Sequence, residues 1–266
     1  MNPYIEIIRP FTSFLSAFGV LTGALVAGSA SPQLILTAAV AVFCISGAGI
    51  ILNDVYDMKI DKINAPWRAL PSKRMSKRNA LVYSLLLFAA GILLAYSLNI
   101  YCFALAALNS ILEFAYARNL KQVALVGNAL DSWFVASTFI FGALLSGNLI
   151  SIMILSLLAF LVNMGREIFG DIEDLKGDNK LGLKTLPILA GERVSWFIAS
   201  SFILMAVCLS ALPYYLGLMG LGYLVLVAAA DLLFIFSIFQ EPKINQKVTK
   251  IAMLIAMVAF IAGALL

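Results

Sequence analysis

The apolar positions of this chain fall into long, nearly uninterrupted runs that recur from end to end. Nine are marked here: 11–29, 34–52, 79–98, 100–117, 125–146, 149–166, 194–212, 216–238 and 248–266. Each is close to the roughly 20 residues an α-helix needs to cross a ~30 Å hydrocarbon core. The expected fold is an all-α membrane protein of about nine transmembrane helices, forming a single domain over residues 1–266. The first run, with only Arg9 ahead of it, is longer than the roughly 7–15 residues of a signal peptide's apolar region. Despite the small residues Ala27-Gly-Ser-Ala30, it is therefore expected to stay as a span.

Composition agrees, with 62% hydrophobic and 12% charged residues. A soluble domain of this length needs far more polar surface. Charge then adds an orientation. All 18 basic residues fall in alternate segments, namely Arg9, 53–78, 118–121, 166–193 and 243–250, and none lies in the short turns between. By the positive-inside rule, the N-terminus and the charged segments are expected in the cytoplasm and the C-terminus outside. The basic balance is thus a topology signal, and no nucleic-acid partner is implied. Cys44, Cys102 and Cys208 each sit within an apolar run and read as packing residues. With no histidine in the chain, any chemistry must run on carboxylates, cations, hydroxyls and hard metals.

Two of the cytoplasmic segments, Asn53–Arg78 and Arg166–Arg193, are long while the other turns are minimal. Long charged loops in a minimal membrane protein usually serve a function. The two also match. Asp54, Asp57 and Asp61 have the spacing i, i+3, i+7, and so do Asp171, Asp174 and Asp178, 117 positions later (Asp54 to Asp171). Each triplet is followed by a cation and Leu-Pro, first Arg68 with Leu70-Pro71, then Lys184 with Leu186-Pro187. This points to an internal repeat. If the spans continue into these segments, each triplet lies within about 60° on one helix face. Like charges so placed repel, and they sit at the negative pole of the helix dipole. A cation that offsets the repulsion is the functional reading, and a solvated acidic helix end is the bland one. Carboxylates without His or Cys select hard ions, and Mg²⁺ commonly shares its shell with substrate phosphates.

Lys121, Arg166 and Lys184 are the candidate anion-binding cations, whereas Lys73–Arg78 reads as an orientation or headgroup signal. Glu113, Asp131 and Asp231 lie inside apolar runs, roughly 7–12 Å from the cytoplasmic end at 1.5 Å per residue, with Asn128 and Asn163 at similar depth. A shared polar pocket open to the cytoplasm would explain them. Structural hydrogen bonds between helices would serve equally well for any one.

At these residues the chain resembles the UbiA superfamily of intramembrane prenyltransferases. Asn53-Asp54-Val-Tyr-Asp57-Met-Lys-Ile-Asp61, running on to Arg68-Ala-Leu70-Pro71-Ser72, is similar to that family's first aspartate motif. Arg166-Glu167-Ile-Phe-Gly-Asp171-Ile-Glu-Asp174-Leu-Lys-Gly177-Asp178 is similar to the second. The family's Tyr-xxx-Lys pattern has its nearest match in Tyr116 and Lys121, one residue longer.

The resemblance implies helices around a lateral cavity open at the cytoplasmic side, and a Mg²⁺-dependent transfer of an isoprenyl group from its diphosphate to a lipid-like acceptor. It implies metal binding by Asp54, Asp57, Asp61, Asp171, Asp174 and Asp178. Substrate binding falls to Asn53, Arg68, Tyr116, Asn128, Arg166 and Lys184, and catalysis to Asp54, Asp57, Asp171, Asp174 and Lys121. The start Tyr4-Ile-Glu6-Ile-Ile-Arg9-Pro10 most resembles the ether-lipid branch, which joins geranylgeranyl diphosphate to geranylgeranylglyceryl phosphate. The alternatives are an aromatic acceptor such as 4-hydroxybenzoate and, in another class, a secondary transporter.

Overall fold

The computed structural model describes residues 2–28, 31–146, 149–180 and 182–265, with all side chains among them except those of Ile63, Asn64 and Ser151. Of the outer turns expected at 30–33 and 147–148, residue 30 and the whole of the second lie outside the described residues. The chain is built of helices: α1 (Pro3–Ile7), α2 (Pro10–Val26), α3 (Pro32–Asn64), α4 (Lys77–Leu98), α5 (Ile100–Arg118), α6 (Val126–Ala143), α7 (Ile150–Lys180), α8 (Leu186–Ala190), α9 (Glu192–Ser210), α10 (Leu212–Tyr215), α11 (Leu221–Ile238) and α12 (Pro242–Leu265). Among the described residues, seven of these are long and apolar enough to cross a membrane: α3, α4, α5, α7, the α9–α10 segment, α11 and α12. The runs at 11–29 and 125–146 form α2 and α6, of 17 and 18 residues, outside that set of seven.

Local chemistry sets the starts. Ser31 precedes Pro32 and accepts the Leu34 amide on its hydroxyl, and Ser76 does the same for Asn79. Asn99 caps α5 by accepting from the Cys102 amide at 2.8 Å, while its Nδ2 donates to the Leu144 carbonyl at 3.0 Å.

The two segments expected as loops are helical over much of their length. With 33 and 31 residues, α3 and α7 reach roughly 50 and 46 Å, well beyond a ~30 Å core. The reason for the first stop is local. No Pro or Gly interrupts 53–64, and Ala65, whose φ of −144° has left the helical region, is held there by Pro66. Among the described residues, the non-helical connections of these two segments lie between Asn64 and Lys77 and between Lys180 and Glu192, the second holding α8.

Packing divides the bundle in two. One apolar cluster joins α3, α4 and α5, with Phe88, Leu52 and Ile45 among its buried residues. A larger one joins α7, α9, α11 and α12 around Phe169, Ile203, Tyr223 and Phe260. Helices α2 and α6 form the seam between them. A Cβ on Gly23 would lie 2.1 Å from the Phe139 carbonyl oxygen, and one on Gly142 would lie 2.1 Å from that of Val20. Without a hydrophobic force between helices in lipid, such close backbone approach is what van der Waals packing requires.

Candidate active site

The last turns of α3 carry Asn53, Asp54, Asp57 and Asp61 on one side, and three cations from elsewhere in the chain meet them. Asp54 and Asp61 are each only 5% exposed. Arg9, at the junction of α1 and α2, donates from Nη2 to Asp54 Oδ1 at 2.5 Å. Its backbone sits in the left-handed region at φ 44°. That conformation costs roughly 1–2 kcal/mol for a residue with a side chain, and the buried charge it meets offsets the cost. Arg68, in the turn after α3, lies 2.7 Å from Asp61 Oδ1 and 3.7 Å from Asp54 Oδ1, so one guanidinium spans two carboxylates. Lys121, carried by the short 3₁₀ turn Leu120–Gln122, forms an ion pair with Asp57.

The second triplet is met differently. Asn128, at the start of α6, donates from Nδ2 to Asp171 Oδ2 at 2.9 Å and accepts the Leu125 amide on Oδ1 at 3.1 Å. Among the described residues no ion pair reaches Asp171, Asp174 or Asp178. Arg166, one turn earlier on α7, is spent inside a polar network. It donates to Asn163 Oδ1 at 3.0 Å and Gln246 Oε1 at 2.9 Å, pairs with Glu167, and stands 3.8 Å from Asp131. Asn163 in turn donates to Asp131 at 3.0 Å. Three of the polar residues expected at membrane depth are thus tied together across α6 and α7 or to Asp171, and Asp231 accepts from Ser210 at 2.6 Å.

The two connections touch. Val123 and Lys184 form a parallel bridge, and the Ala124 amide donates to the Lys184 carbonyl at 3.0 Å. Lys121 packs so closely on the next helix that a Cβ on Gly127 would lie 2.6 Å from the Lys121 carbonyl oxygen. The backbone of Lys184 therefore serves the site's frame, while its side chain is exposed. Tyr116 stands edge-on to Phe134, ring centroids 5.8 Å apart, with no hydrogen bond from its hydroxyl among the described residues.

The six motif aspartates are divided between the ends of α3 and α7. Among the described residues, no three His, Cys, Asp or Glu side chains are gathered closely enough to hold a metal by themselves. The acids lie on two separate helices, and Arg9, Arg68, Lys121 and Asn128 already stand against four of them. The donor set still fits a hard cation that takes part of its shell from phosphate. Asn53 Oδ1 and Asp61 Oδ2 are buried oxygens with no hydrogen-bond partner among the described residues. Such orphaned acceptors are uncommon in folded proteins, and oxygen donors of this kind suit Mg²⁺.

Within the larger half, α2, α6, α7, α9, α11 and α12 enclose a cavity of about 290 Å³. Its walls are mainly apolar, with Leu155, Val162, Met257 and Phe260 among them, and Asn163, Arg166, Asp231 and Lys250 supply polar points. Phe11, 70% exposed, and Lys250, also exposed, stand at its edge. None of the six motif aspartates lines this space, and it meets the second motif through Arg166.

Sequence reasoning passed over Arg9 as a ligand of Asp54, Gln246 as the partner of Arg166, and Lys250 as a cavity residue. Arg9 stood out as a topology signal and as part of the Tyr4–Pro10 start, neither of which points to Asp54. Gln246 and Lys250 lie in the basic segment 243–250, and their α-helical spacing was the one available clue.

With this geometry in place, the chain can be set beside known proteins. The digeranylgeranylglyceryl phosphate synthase of Methanopyrus kandleri is 39% identical over 271 residues, covering all of both chains. A solved structure of a digeranylgeranylglyceryl phosphate synthase in membranes superposes with a TM-score of 0.84 at 33% identity, covering 98% of this chain and 97% of that one. A UbiA homologue from Archaeoglobus fulgidus, solved bound to GPP and Mg²⁺, shares the fold with a TM-score of 0.80 at 17% identity, over 99% of this chain and 100% of that one. The UbiA prenyltransferase family matches residues 16–264, so this chain belongs to that family and is a multi-pass membrane prenyltransferase.

Proposed function

We propose that the chain transfers a geranylgeranyl group from its diphosphate to the free hydroxyl of geranylgeranylglyceryl phosphate, a step in archaeal ether-lipid synthesis. The observation that carries this reading is its similarity to digeranylgeranylglyceryl phosphate synthases, at 39% identity over the whole chain. One carbon–oxygen bond to the diphosphate breaks, an ether bond forms at the same carbon, and the acceptor hydroxyl releases its proton.

The residues divide the work. Asp54, Asp57 and Asp61 with Asn53, and Asp171, Asp174 and Asp178, would hold Mg²⁺, which when bound neutralises diphosphate charge and improves the leaving group. Arg68, Lys121, Arg166 and Lys184 grip diphosphate oxygens. Asn128 orients Asp171 by donating one hydrogen bond to it. The apolar cavity receives an isoprenoid chain and keeps water from the electron-poor allylic carbon. Phe11 and Tyr116 offer aromatic faces toward developing positive charge.

The reading includes nine crossings, with α2 and α6 added to the seven long apolar segments, in one repeated domain. The N-terminus and both motif ends face the cytoplasm and the C-terminus lies outside, as the distribution of lysine and arginine favours.

The test is turnover of radiolabelled geranylgeranyl diphosphate by the purified protein, with and without Mg²⁺. Geranylgeranylglyceryl phosphate and 4-hydroxybenzoate are offered in parallel. A Mg²⁺-dependent product with the glycerol phosphate alone is expected. Product with the aromatic acid alone would move the enzyme to quinone synthesis, and no product with either would overturn the substrate reading.

A further inference from the structure

Helix α12 carries an unexplained pattern. Lys243, Lys247 and Lys250 stand at i, i+4 and i+7, which places them within about 60° of one another on one helix face. All three are exposed, and among the described residues none forms an ion pair. The arrangement is unfavourable twice over. Like charges four residues apart repel, and the stripe occupies the first half of the helix, whose N-terminal pole disfavours cations. A topology signal alone would be met by lysines on any face.

The face is tied to the site. Gln246, three residues after Lys243, accepts from Arg166 Nη1 at 2.9 Å and donates from Nε2 to the Arg166 carbonyl oxygen at 2.8 Å. Lys250 lines the edge of the apolar cavity that Arg166 and Asn163 also line. Arg166 is paired with Glu167 and assigned above to the diphosphate, which leaves Lys250 as the cavity-lining cation without an ion pair among the described residues. From Pro242, Lys250 stands about 12 Å along the helix axis, near headgroup depth for a helix entering from the cytoplasm.

We infer that this stripe is the phosphate-recognition track for the lipid acceptor, with Lys250 as the residue that holds the acceptor's phosphate at the cavity edge. The inference rests on the acceptor proposed above being a phosphate ester. Lys243 and Lys247 draw the anionic head along the helix toward Lys250 at the cavity edge. The diphosphate of the donor goes to the aspartate motifs, so the two substrates' anionic groups are sorted to different cations. Specificity for a phosphorylated acceptor then resides on α12, outside the aspartate-bearing turns of α3 and α7.

The experiment uses the full chain in phosphatidylcholine vesicles, and compares geranylgeranylglyceryl phosphate with the same lipid lacking its phosphate. For Lys250→Gln, KM for the phosphorylated acceptor should rise about tenfold, the loss of one hydrogen bond between charged groups. KM for the dephosphorylated acceptor and for geranylgeranyl diphosphate should stay unmoved, and Lys250→Arg should restore most of the difference. Raised salt should weaken the phosphorylated acceptor more in wild type than in Lys250→Gln. Should Lys250→Gln fail to fold, Lys247→Gln must show a smaller shift in the same direction. An unchanged KM, or equal rises for both acceptors, would overturn the inference and leave the stripe as a headgroup anchor. A wild-type protein that turns over neither acceptor would instead strike the proposed function itself.

Discussion

The two aspartate-bearing helix ends share a sequence pattern and differ in how their charge is managed. At the end of α3, Arg9, Arg68 and Lys121 reach in from three separate segments, and each triplet carboxylate has a cation beside it. At the end of α7, Asp171 is steadied by the neutral amide of Asn128, and the local arginine is bound up with Asn163, Gln246 and Glu167. Burial accounts for the contrast at Asp54 and Asp61, while Asp57 is partly exposed like Asp171 and Asp178. Asp54 and Asp61 are each 5% exposed, whereas Asp174 is exposed and Asp171 and Asp178 are partly so. An ionised carboxylate kept from water needs a partner, and an accessible one does not. The repeated pattern therefore has one end built as a neutralised set with two buried carboxylates and one built without paired cations.

The strongest way to break the comparison is to remove one carboxylate from each end. Asp54→Asn and Asp171→Asn should both lower turnover by about 10³-fold or more if each contributes transition-state electrostatics. Their stabilities should part. Asp54→Asn leaves Arg9 and Arg68 short of a partner and should cost roughly 2 kcal/mol, less than a fully buried pair because both arginines are partly exposed. Asp171→Asn keeps a polar group opposite Asn128 and should unfold within about 0.5 kcal/mol of wild type. Thermal unfolding in detergent beside the turnover assay decides the matter, and equal losses of stability would end the distinction between a neutralised end and one without paired cations.

A smaller effect is expected at the clamp between α7 and α12. Gln246→Ala removes an acceptor from Arg166 Nη1 and a donor to the Arg166 backbone, freeing the guanidinium toward Glu167 and Asp131. One or two lost hydrogen bonds of about 1 kcal/mol each correspond to a roughly 5–30-fold fall in kcat/KM. Gln246→Glu should recover part of it, since a carboxylate still accepts from Arg166. No recovery would mean that the amide's donation to the backbone is the part that matters.

Much of this was legible in the sequence because membrane solvation leaves few choices. Runs of about 20 apolar residues have to be helices, since unpaired backbone groups are too costly in lipid. The i, i+3, i+7 spacing correctly put each aspartate triplet on one helix face, now seen on α3 and α7. Spacing could not show that the helices run on to Asn64 and Lys180, because a charged segment past a membrane run looks the same as helix or loop. The partners of the acids were hidden for a different reason. Arg9 and Asp54 are 45 positions apart, and Arg166 and Gln246 are 80 apart. Such contacts are fixed by tertiary packing and leave no local periodicity. The bridge from Val123 to Lys184 was equally invisible, and it explains why Lys184 contributes its backbone to the frame.

The smallest effect tests whether the neutralised end extends to its outer surface. Arg74 donates to Glu6 twice, from Nη1 to Oε2 at 2.6 Å and from Nη2 to Oε1 at 2.7 Å, and also to the Trp67 carbonyl oxygen. It thereby pins the turn that carries Arg68 against α1. The hydrogen bonds from Arg74 lower the Glu6 pKa from its usual 4.5, only partly opposed by desolvation. A lowered folded-state pKa means that the stabilisation is complete above the unfolded value and is lost as pH falls through the folded one. The pair is solvent-exposed, so its contribution is small and salt-sensitive. Wild type and Glu6→Gln should therefore differ slightly in Tm at neutral pH and converge as the pH drops below about 4.5. No counterpart to this latch is found on the α7 side among the described residues, where Glu192 and Arg193 form no ion pair. A Tm difference that persisted unchanged into acid would show that Glu6 acts through packing, and the first end's reliance on paired charge would then stop at Arg68.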